Sequence, residues 1–238
     1  MEILKAQLDA LINELPDAIT VRERIEDVFS VYPFNAFEYT ISTLLGRGVL
    51  TLEDYYEIRD DYLDRNMFLS LFEISAPRTF GESWAQTHLK GLVPDLQKPS
   101  RKLDTAYSGQ YDFFLDSKIR IEVKASRAVD ANSTEPLYIK ALASDSERPF
   151  DMNFQQIKPT CCDVFVWIAV WRDVIRYWVL SSNEVEANRY YSKGQHRGNV
   201  GEGQLHVHQD NIREFEGYKV ASDGLAEAIR GAYQRQMS

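Results

Sequence analysis

The first third of the chain carries apolar residues at the three- and four-residue spacing of amphipathic helices. The first such series consists of Leu4, Leu8, Leu11, Ile12 and Leu15. Thr20 and Glu23 have the spacing of a capping box and predict the start of a second helix. A third helix is predicted around residues 37–45, and a fourth after Thr51, which begins another capping box. We therefore predict a helical module over residues 1–73.

The remainder of the chain, residues 74–238, changes from helical to strand patterns. Residues 81–92 (GESWAQTHLKGL) predict an amphipathic helix, and YDFFL and IRIEVKAS predict two strands joined by a short turn at residues 116–118. A helix is predicted around FDMNFQQIK, followed by the strands CDVFVWIAVW and VIRYWVLS, a short helix, the strand LHVHQD and a C-terminal helix. This order predicts an α/β fold with a central mixed β-sheet flanked by helices.

The composition is ordinary for a globular protein, with 44% hydrophobic and 26% charged residues. The most apolar stretch, residues 163–180, is interrupted by Arg172, Asp173 and Arg176. The N-terminal segment carries acids where a secretory signal carries bases. These features predict a cytoplasmic protein with no membrane partner.

The charge is distributed unevenly along the chain. The net charge is -9, and residues 1–73 alone hold 15 acids and 6 bases, which gives 6 − 15 = -9. The remaining 21 acids and 21 bases balance, so the second part is neutral. A neutral part can still bind phosphates, especially where divalent metal ions offset its carboxylates. The net charge therefore does not decide for or against a nucleic-acid partner.

Three charged residues in the segment GQYDFFLDSKIRIEVKASR suggest a chemical site. Glu122 and Lys124 are two residues apart on one predicted strand, so their side chains share one face of the sheet. A hairpin closed at residues 116–118 brings Asp112 next to Ile121 or Glu122. Two carboxylates and one ammonium on a surface of otherwise apolar strands are costly to bury without compensation.

A divalent metal ion would remove that cost. The carboxylates of Asp112 and Glu122 are oxygen ligands of the kind that Mg²⁺ prefers. Lys124 would then orient or deprotonate the attacking water, or stabilise charge that builds up on a phosphate. The three residue types together predict metal-dependent hydrolysis of a phosphodiester bond.

Asp112, followed after a short gap by Glu122-Val-Lys124, resembles the PD-(D/E)xK nuclease superfamily, which includes most type II restriction endonucleases. The first aspartate of that motif would be Asp112, and the Glu-x-Lys pair would be Glu122 and Lys124. Tyr111 stands where the motif has proline, a departure that is common in the family. A literal Pro-Asp pair ends at Asp95, but it lies in a predicted loop, so Asp112 is preferred.

The resemblance covers about residues 78–180 and implies a restriction-endonuclease-like core with one or two Mg²⁺ ions per active site. It implies that Asp112, Glu122 and Val123 bind the metal. Glu82, on the helix before the first strand, would add a fourth catalytic residue. No organic cofactor is expected.

The implied partner is double-stranded DNA. The residues predicted to contact it are Lys98, Arg101, Lys102, Ser126, Arg127, Gln155, Gln156, Lys193, His196, Arg197 and Asn199. The last four come from a segment that mixes bases, aromatics, amides and glycines, which suits contacts to phosphates and base edges.

The leading functional hypothesis is sequence-specific cleavage of duplex DNA by a homodimer, which presents one active centre to each strand of a palindromic site. In this hypothesis the acidic helical module dimerises the chain or shapes the domain. Two alternatives stay open: a repair or defence nuclease that recognises DNA structure, and a non-catalytic DNA- or protein-binding module whose carboxylates are incidental.

Overall fold

A computed structural model describes residues 2–26, 33–194 and 202–238, without the side chains of residues 2–5, 26 and 33–38. The chain divides into two compact units, residues 1–67 and 68–238. This division lies six residues before the boundary predicted at residue 73. His196, Arg197 and Asn199 of the predicted DNA contacts fall outside the described residues.

The first unit is helical. Its described helices are α1 (Glu2–Asn13), α2 (Ala18–Glu26), α3 (Pro33–Gly46) and α4 (Leu52–Arg65). The predicted capping box at Thr51 is confirmed, because the Thr51 side chain accepts a hydrogen bond from the Asp54 amide at 3.1 Å. The cap predicted at Thr20 is wrong. The Val21 amide already donates to the Asp17 carbonyl, so α2 begins two residues before Thr20.

The second unit alternates strands and short helices. Its described helices are α5 (Gln86–Leu92), α6 (Leu137–Lys140), α7 (Ser182–Glu186) and α8 (Leu225–Met237). Its described strands are β1 (Phe113–Leu115), β2 (Ile119–Arg127), β3 (Val129–Asp130), β4 (Phe150–Ile157), β5 (Val164–Val170), β6 (Ile175–Ser181), β7 (Tyr191–Lys193), β8 (Gly203–His208) and β9 (Lys219–Val220). The helix predicted over residues 81–92 begins with a π-helical segment, Thr79–Ala85, before α5.

The first sheet has the strand order β1-β2-β5-β6-β9 and is mixed, as predicted: β2 and β5 are parallel and the other pairs are antiparallel. Every residue of β5 is buried, as expected for a strand that is covered on both faces. The β1–β2 hairpin turns through Asp116 and Ser117, both with positive φ, which matches the twist of the strands it joins. The predicted hairpin is therefore confirmed.

A second, antiparallel sheet has the order β3-β4-β8-β7. It corrects the helix predicted around FDMNFQQIK, because Phe150–Ile157 forms β4. Phe150, Met152 and Phe154 are buried at every second position, which is the period of a strand, and β8 supplies the hydrogen-bonding partner. Gln155 and Gln156 therefore lie on a strand.

Large aromatic side chains fill the core between the elements of the second unit. Trp167, Trp178 and Phe215 are fully buried, and Phe154 of the second sheet stacks on Trp167 of the first at 5.0 Å between ring centroids. No helix of the described residues has both the length and the apolar character that crossing a membrane requires. The architecture is thus a mixed α/β fold in which two sheets share one core.

Candidate active site

Asp112 immediately precedes β1, and the hairpin register fixes its position. Phe113 pairs with Ile121, and the Asp112 amide donates to the Ile121 carbonyl at 2.9 Å. The carboxylate Oδ2 of Asp112 accepts a hydrogen bond from the Val123 amide at 2.8 Å. Two main-chain contacts thus attach Asp112 to β2, at the place that the sequence pattern predicted.

Glu122 and Lys124 lie on the face of β2 opposite to the buried Ile121 and Val123. The Lys124 Nζ is 2.6 Å from the Glu122 Oε1. The two side chains are 15% and 17% exposed, respectively, so the ion pair is largely shielded from water but remains accessible from one side. The parallel neighbour β5, entirely apolar and buried, fixes the position of this part of β2.

Gln86, at the start of α5, makes a second hydrogen bond to the Asp112 carboxylate, in addition to the one from the Val123 amide. Its Nε2 donates to the Asp112 Oδ1 at 2.6 Å, and its Oε1 accepts a short hydrogen bond from the Lys98 Nζ. The Lys98 ammonium also lies 4.5 Å from the centroid of the Phe113 ring. The hydrogen bonds of Gln86 and Val123 together hold both carboxylate oxygens of Asp112.

The pKa values of both carboxyl groups are raised. Burial raises the pKa of Glu122 to about 7, assisted by the nearby Asp112 and opposed by Lys124. Burial also raises the pKa of Asp112, against the hydrogen bond from the Val123 amide and the charges of Lys124 and Lys98. The protein's own cations therefore compensate the negative charge of this pair incompletely.

This donor set fits Mg²⁺. Among the described residues, no group of three or more His, Cys, Asp or Glu side chains is placed to hold a metal, and the centre offers two carboxylates. Mg²⁺ is usually bound by one or two carboxylates together with waters and substrate phosphates. The Val123 side chain is apolar and buried, so only its carbonyl oxygen could act as the third predicted ligand.

The three residues open into a cleft of about 1280 Å³. Its walls come from the π-helical segment, residues 107–111, β2 and β4. Among the described residues, five cationic and five acidic side chains line it: Arg78, Lys98, Lys124, Arg127, Lys158, Glu82, Asp112, Glu122, Asp151 and Glu202. Because this lining is balanced, a bound divalent cation would make the cleft electropositive and suited to phosphates.

Glu82 lines the cleft but does not join the centre. Its carboxylate is 63% exposed and lies 3.4 Å from the Arg78 guanidinium, four residues earlier in the chain. Gln86, four residues after Glu82, makes the contact to Asp112 instead. The sequence pattern pointed to the correct helix and missed the residue that contacts the centre.

Arg127 and Ser126, at the end of β2, also line the cleft. The Arg127 Nη1 donates to the carbonyls of Leu71 and Ile74 at 3.0 and 2.5 Å, and the guanidinium lies 4.2 Å from the Phe80 ring centroid. Burial lowers the pKa of Arg127 to about 10. Its guanidinium therefore uses part of its hydrogen-bonding capacity on main-chain carbonyls of the protein. Ser126 is buried.

The other predicted DNA contacts divide into two groups. Gln155, Gln156 and Lys98 line the cleft and are exposed residues. Arg101 and Lys102 are exposed on the preceding loop but do not line the cleft, and Lys193 on β7 pairs with Glu186 at 3.4 Å. The cleft also contains residues that sequence reasoning missed, namely Gln86, Asn153, Lys158 and Glu202.

Lys158 is the missed residue with the clearest charge role. Its Nζ lies 2.8 Å from the Glu202 Oε1, and the charge of Glu122 helps to raise the pKa of Lys158 after the larger effect of the Glu202 hydrogen bond. A second ammonium, paired with Glu202, therefore lies near the carboxylate pair. Its position directly after β4 was hidden by the incorrect helix prediction.

No protein-family model matches the chain, and no curated protein is significantly similar to it in sequence.

Proposed function

We propose that the chain is a magnesium-dependent endonuclease that hydrolyses phosphodiester bonds of double-stranded DNA at a specific sequence, as type II restriction enzymes do. The observation that carries this proposal is the shielded group of Asp112, Glu122 and Lys124 on one hairpin, with two incompletely compensated carboxylates and one ammonium. A restriction-endonuclease-like core, built on this hairpin and the parallel strand β5, is part of the proposal.

Each residue of the group has a separate task in this reaction. Asp112 and Glu122 bind Mg²⁺ through carboxylate oxygens, and Gln86 and the Val123 amide keep Asp112 oriented. Bound Mg²⁺ supplies Lewis acidity and lowers the pKa of the attacking water. The Lys124 ammonium orients that water and stabilises the negative charge that develops on the phosphate.

The cleft supports a nucleic acid as the substrate. Lys98 and Lys158 provide ammonium groups for backbone phosphates, and the amides of β4 provide hydrogen-bonding groups of the type that contact base edges. A homodimer would place one such centre on each strand of a palindromic site. Discrete double-strand breaks are the expected product.

The test is digestion of a long, sequence-diverse duplex by the full chain, in excess Mg²⁺ and with a chelator. Lys124→Ala removes the ammonium of the centre. Lys118→Ala is the matched control, because Lys118 lies in the hairpin turn and is exposed outside the cleft. We expect discrete fragments from the wild type and from Lys118→Ala in Mg²⁺, and none from Lys124→Ala or with chelator.

The outcomes separate the alternatives. A magnesium-dependent smear in place of fragments would keep the centre but identify a repair or degradative nuclease. Cleavage that persists undiminished in Lys124→Ala would contradict the assignment of the centre. Absence of both cleavage and duplex binding would refute the nuclease proposal.

A further inference from the structure

An exposed apolar stripe runs along α4 of the helical module. Leu52, Tyr56, Leu63 and Met67 are four of the eight large apolar side chains that are exposed in the described part of the chain, and their exposed fractions lie between 44% and 59%. Leu52, Tyr56 and Leu63 follow one another at intervals of four and seven residues, so they lie on one side of the helix. Met67 continues the series just past the last residue of α4. Exposed apolar surface is thus concentrated on one helix face, as at interaction sites.

This stripe is separate from the face through which α4 packs in its own module. Tyr62 is buried, and Ile58, four residues earlier, is half-buried. At 3.6 residues per turn, these two positions lie roughly 100–160° around the helix axis from the stripe. An amphipathic helix needs only one apolar face to join a core. The second apolar face of α4 is therefore not explained by the packing of the module.

A row of acids follows one edge of the stripe. The row has the same helical spacing as the stripe, is exposed throughout, and consists of Glu53, Glu57, Asp60 and Asp64. Arg59, in the middle of the stripe, lies 3.5 Å from the Asp60 carboxylate. The whole helix holds six acids and two bases, which gives a net charge of 2 − 6 = −4. The stripe is therefore bordered by uncompensated negative charge.

The charge pattern selects the kind of partner. Two helices that pack along apolar stripes choose each other through the charges that flank the stripes. A second copy of the chain would bring together two helices that each carry a net charge of −4, and like charges brought together at an interface are unfavourable. A helix with an apolar stripe and flanking Lys or Arg residues would match both the stripe and the acid row.

We propose that α4 is a docking surface for an amphipathic helix of another protein, whose apolar face is flanked by basic residues. Leu52, Tyr56 and Leu63 are the apolar anchors, and the acid row pairs with the partner's bases. This surface lies wholly within the helical module, and the inference does not depend on the proposed nuclease activity. Because the stripe is short, the interface is small and the complex is transient.

The experiment measures binding of two labelled synthetic peptides to the full chain by fluorescence anisotropy at physiological ionic strength. Both peptides have about 18 residues, or roughly five helical turns, with leucine at intervals of three and four residues. One peptide carries lysine beside the leucines, and the other carries glutamate. We expect the lysine peptide to bind at least about 10-fold more tightly. Leu63→Ser should weaken its binding about 10-fold. Leu103→Ser, at an exposed apolar position outside the module, is the matched control and should bind as the wild type does.

Charge reversal tests the acid row and leaves the stripe intact. Glu53→Lys combined with Asp60→Lys should reverse the preference, so that the glutamate peptide binds more tightly. Glu135→Lys combined with Asp210→Lys makes the same charge change at exposed positions outside the module and should keep the wild-type preference. This pair of variants also provides a readout if Leu63→Ser fails to fold.

Three results would overturn the inference. The first is equal binding of the two peptides by the wild type. The second is binding of the lysine peptide that is unchanged in Leu63→Ser, because attraction to the net charge alone would then explain it. The third is self-association of the wild type, measured by sedimentation, that Leu63→Ser abolishes, because a second copy would then occupy the stripe.

Discussion

Two shielded acids lie along the charged face of β2 in opposite electrostatic situations: Asp163 packs beside Arg120 at one end of the strand, and Glu122 lies beside Lys124 towards the other. At one end the Asp163 carboxylate, 6% exposed, receives the Arg120 guanidinium at 2.6 and 3.1 Å and the Arg120 amide at 2.9 Å. At the other end Glu122 has one ammonium partner, Lys124, while Asp112 adds a second negative charge nearby. Both acids are shielded, and only the first has a full set of donors.

This difference separates a structural ion pair from a candidate active site. Burial and a charged partner are common to both ends, so neither property alone marks the functional residue. Incomplete charge compensation does mark it: burial raises the pKa of Glu122 to about 7 even though Lys124 opposes the rise, and a ligand cation could supply the missing positive charge. Removing the charge at the two ends should therefore have opposite effects on stability.

The largest stability effect is expected at the structural end. Asp163→Ala removes three hydrogen bonds and leaves Arg120 without its partner. We expect a loss of about 3 kcal/mol in the free energy of unfolding, towards the low end for a broken buried pair because Arg120 is 38% exposed. Urea unfolding measures this loss, and Asp210→Ala is the control because Asp210 is exposed. Equal stability of the two variants would contradict the view that the Asp163–Arg120 pair is a structural ion pair.

In metal-free protein, Glu122→Gln should raise the free energy of unfolding, whereas Asp163→Ala lowers it. The pKa of Glu122 is raised from about 4.5 to about 7, so the folded state binds the proton more tightly than the unfolded state. Wild-type stability therefore falls as pH rises from about 4.5 to 7, and the neutral glutamine avoids this loss. We expect the variant to be more stable than the wild type by up to about 3 kcal/mol above pH 7 and nearly equal to it near pH 4.

The measurement is urea unfolding of both proteins with a chelator across this pH range. Excess Mg²⁺ should stabilise the wild type and leave Glu122→Gln nearly unaffected, because a ligand stabilises only the form that it binds. A variant less stable than the wild type at every pH would show that Lys124 fully compensates Glu122.

Gln86→Ala tests the support of Asp112. Loss of the 2.6 Å hydrogen bond frees the carboxylate to rotate, so cleavage should slow about 10- to 100-fold and half-maximal activity should need more Mg²⁺. Thr87→Ala, at the exposed neighbouring position, is the control. An activity loss without any change in the Mg²⁺ requirement would argue against a positioning role.

The smallest effect is expected at the hairpin turn. Asp116 pairs with Arg230 at 2.7 Å, and this hydrogen bond lowers the pKa of Asp116. Asp116→Asn keeps a residue type that tolerates positive φ and should reduce the unfolding free energy by less than about 1 kcal/mol at neutral pH. The reduction should vanish in acid, where the aspartate is protonated. A larger loss would show that the turn, rather than the cleft, limits stability.

The sequence predicted the parts of the fold that depend on local pattern. The hairpin, β5, β6 and α8 follow from strand alternation, a continuous apolar run or helical spacing over neighbouring residues. β4 was predicted as a helix although Phe150, Met152 and Phe154 alternate with polar residues in the strand period. The pairing that establishes it as a strand is not local, because its partner β8 lies about 50 residues further along the chain. The second sheet was missed for the same reason.

The same division applies to the site. Asp112 and Glu122 meet because of a hairpin register, which is local, so their proximity could be predicted. The contact of Gln86 with Asp112 depends on how α5 approaches β2 in three dimensions. The exposed position of Glu82 depends on the π-helical segment, whose turn differs from the α-helical spacing that sequence patterns assume.

The most direct test of the central claim is the single-turnover rate of duplex cleavage in Mg²⁺ by the wild type and by Asp112→Asn. Asparagine keeps the size and can keep the Val123 hydrogen bond, but it removes the negative charge that the proposed metal site requires. We predict a rate at least about 1000-fold lower, with duplex affinity changed by less than about 10-fold. Cleavage by Asp112→Asn at the wild-type rate would contradict the assignment of this hairpin as the active centre.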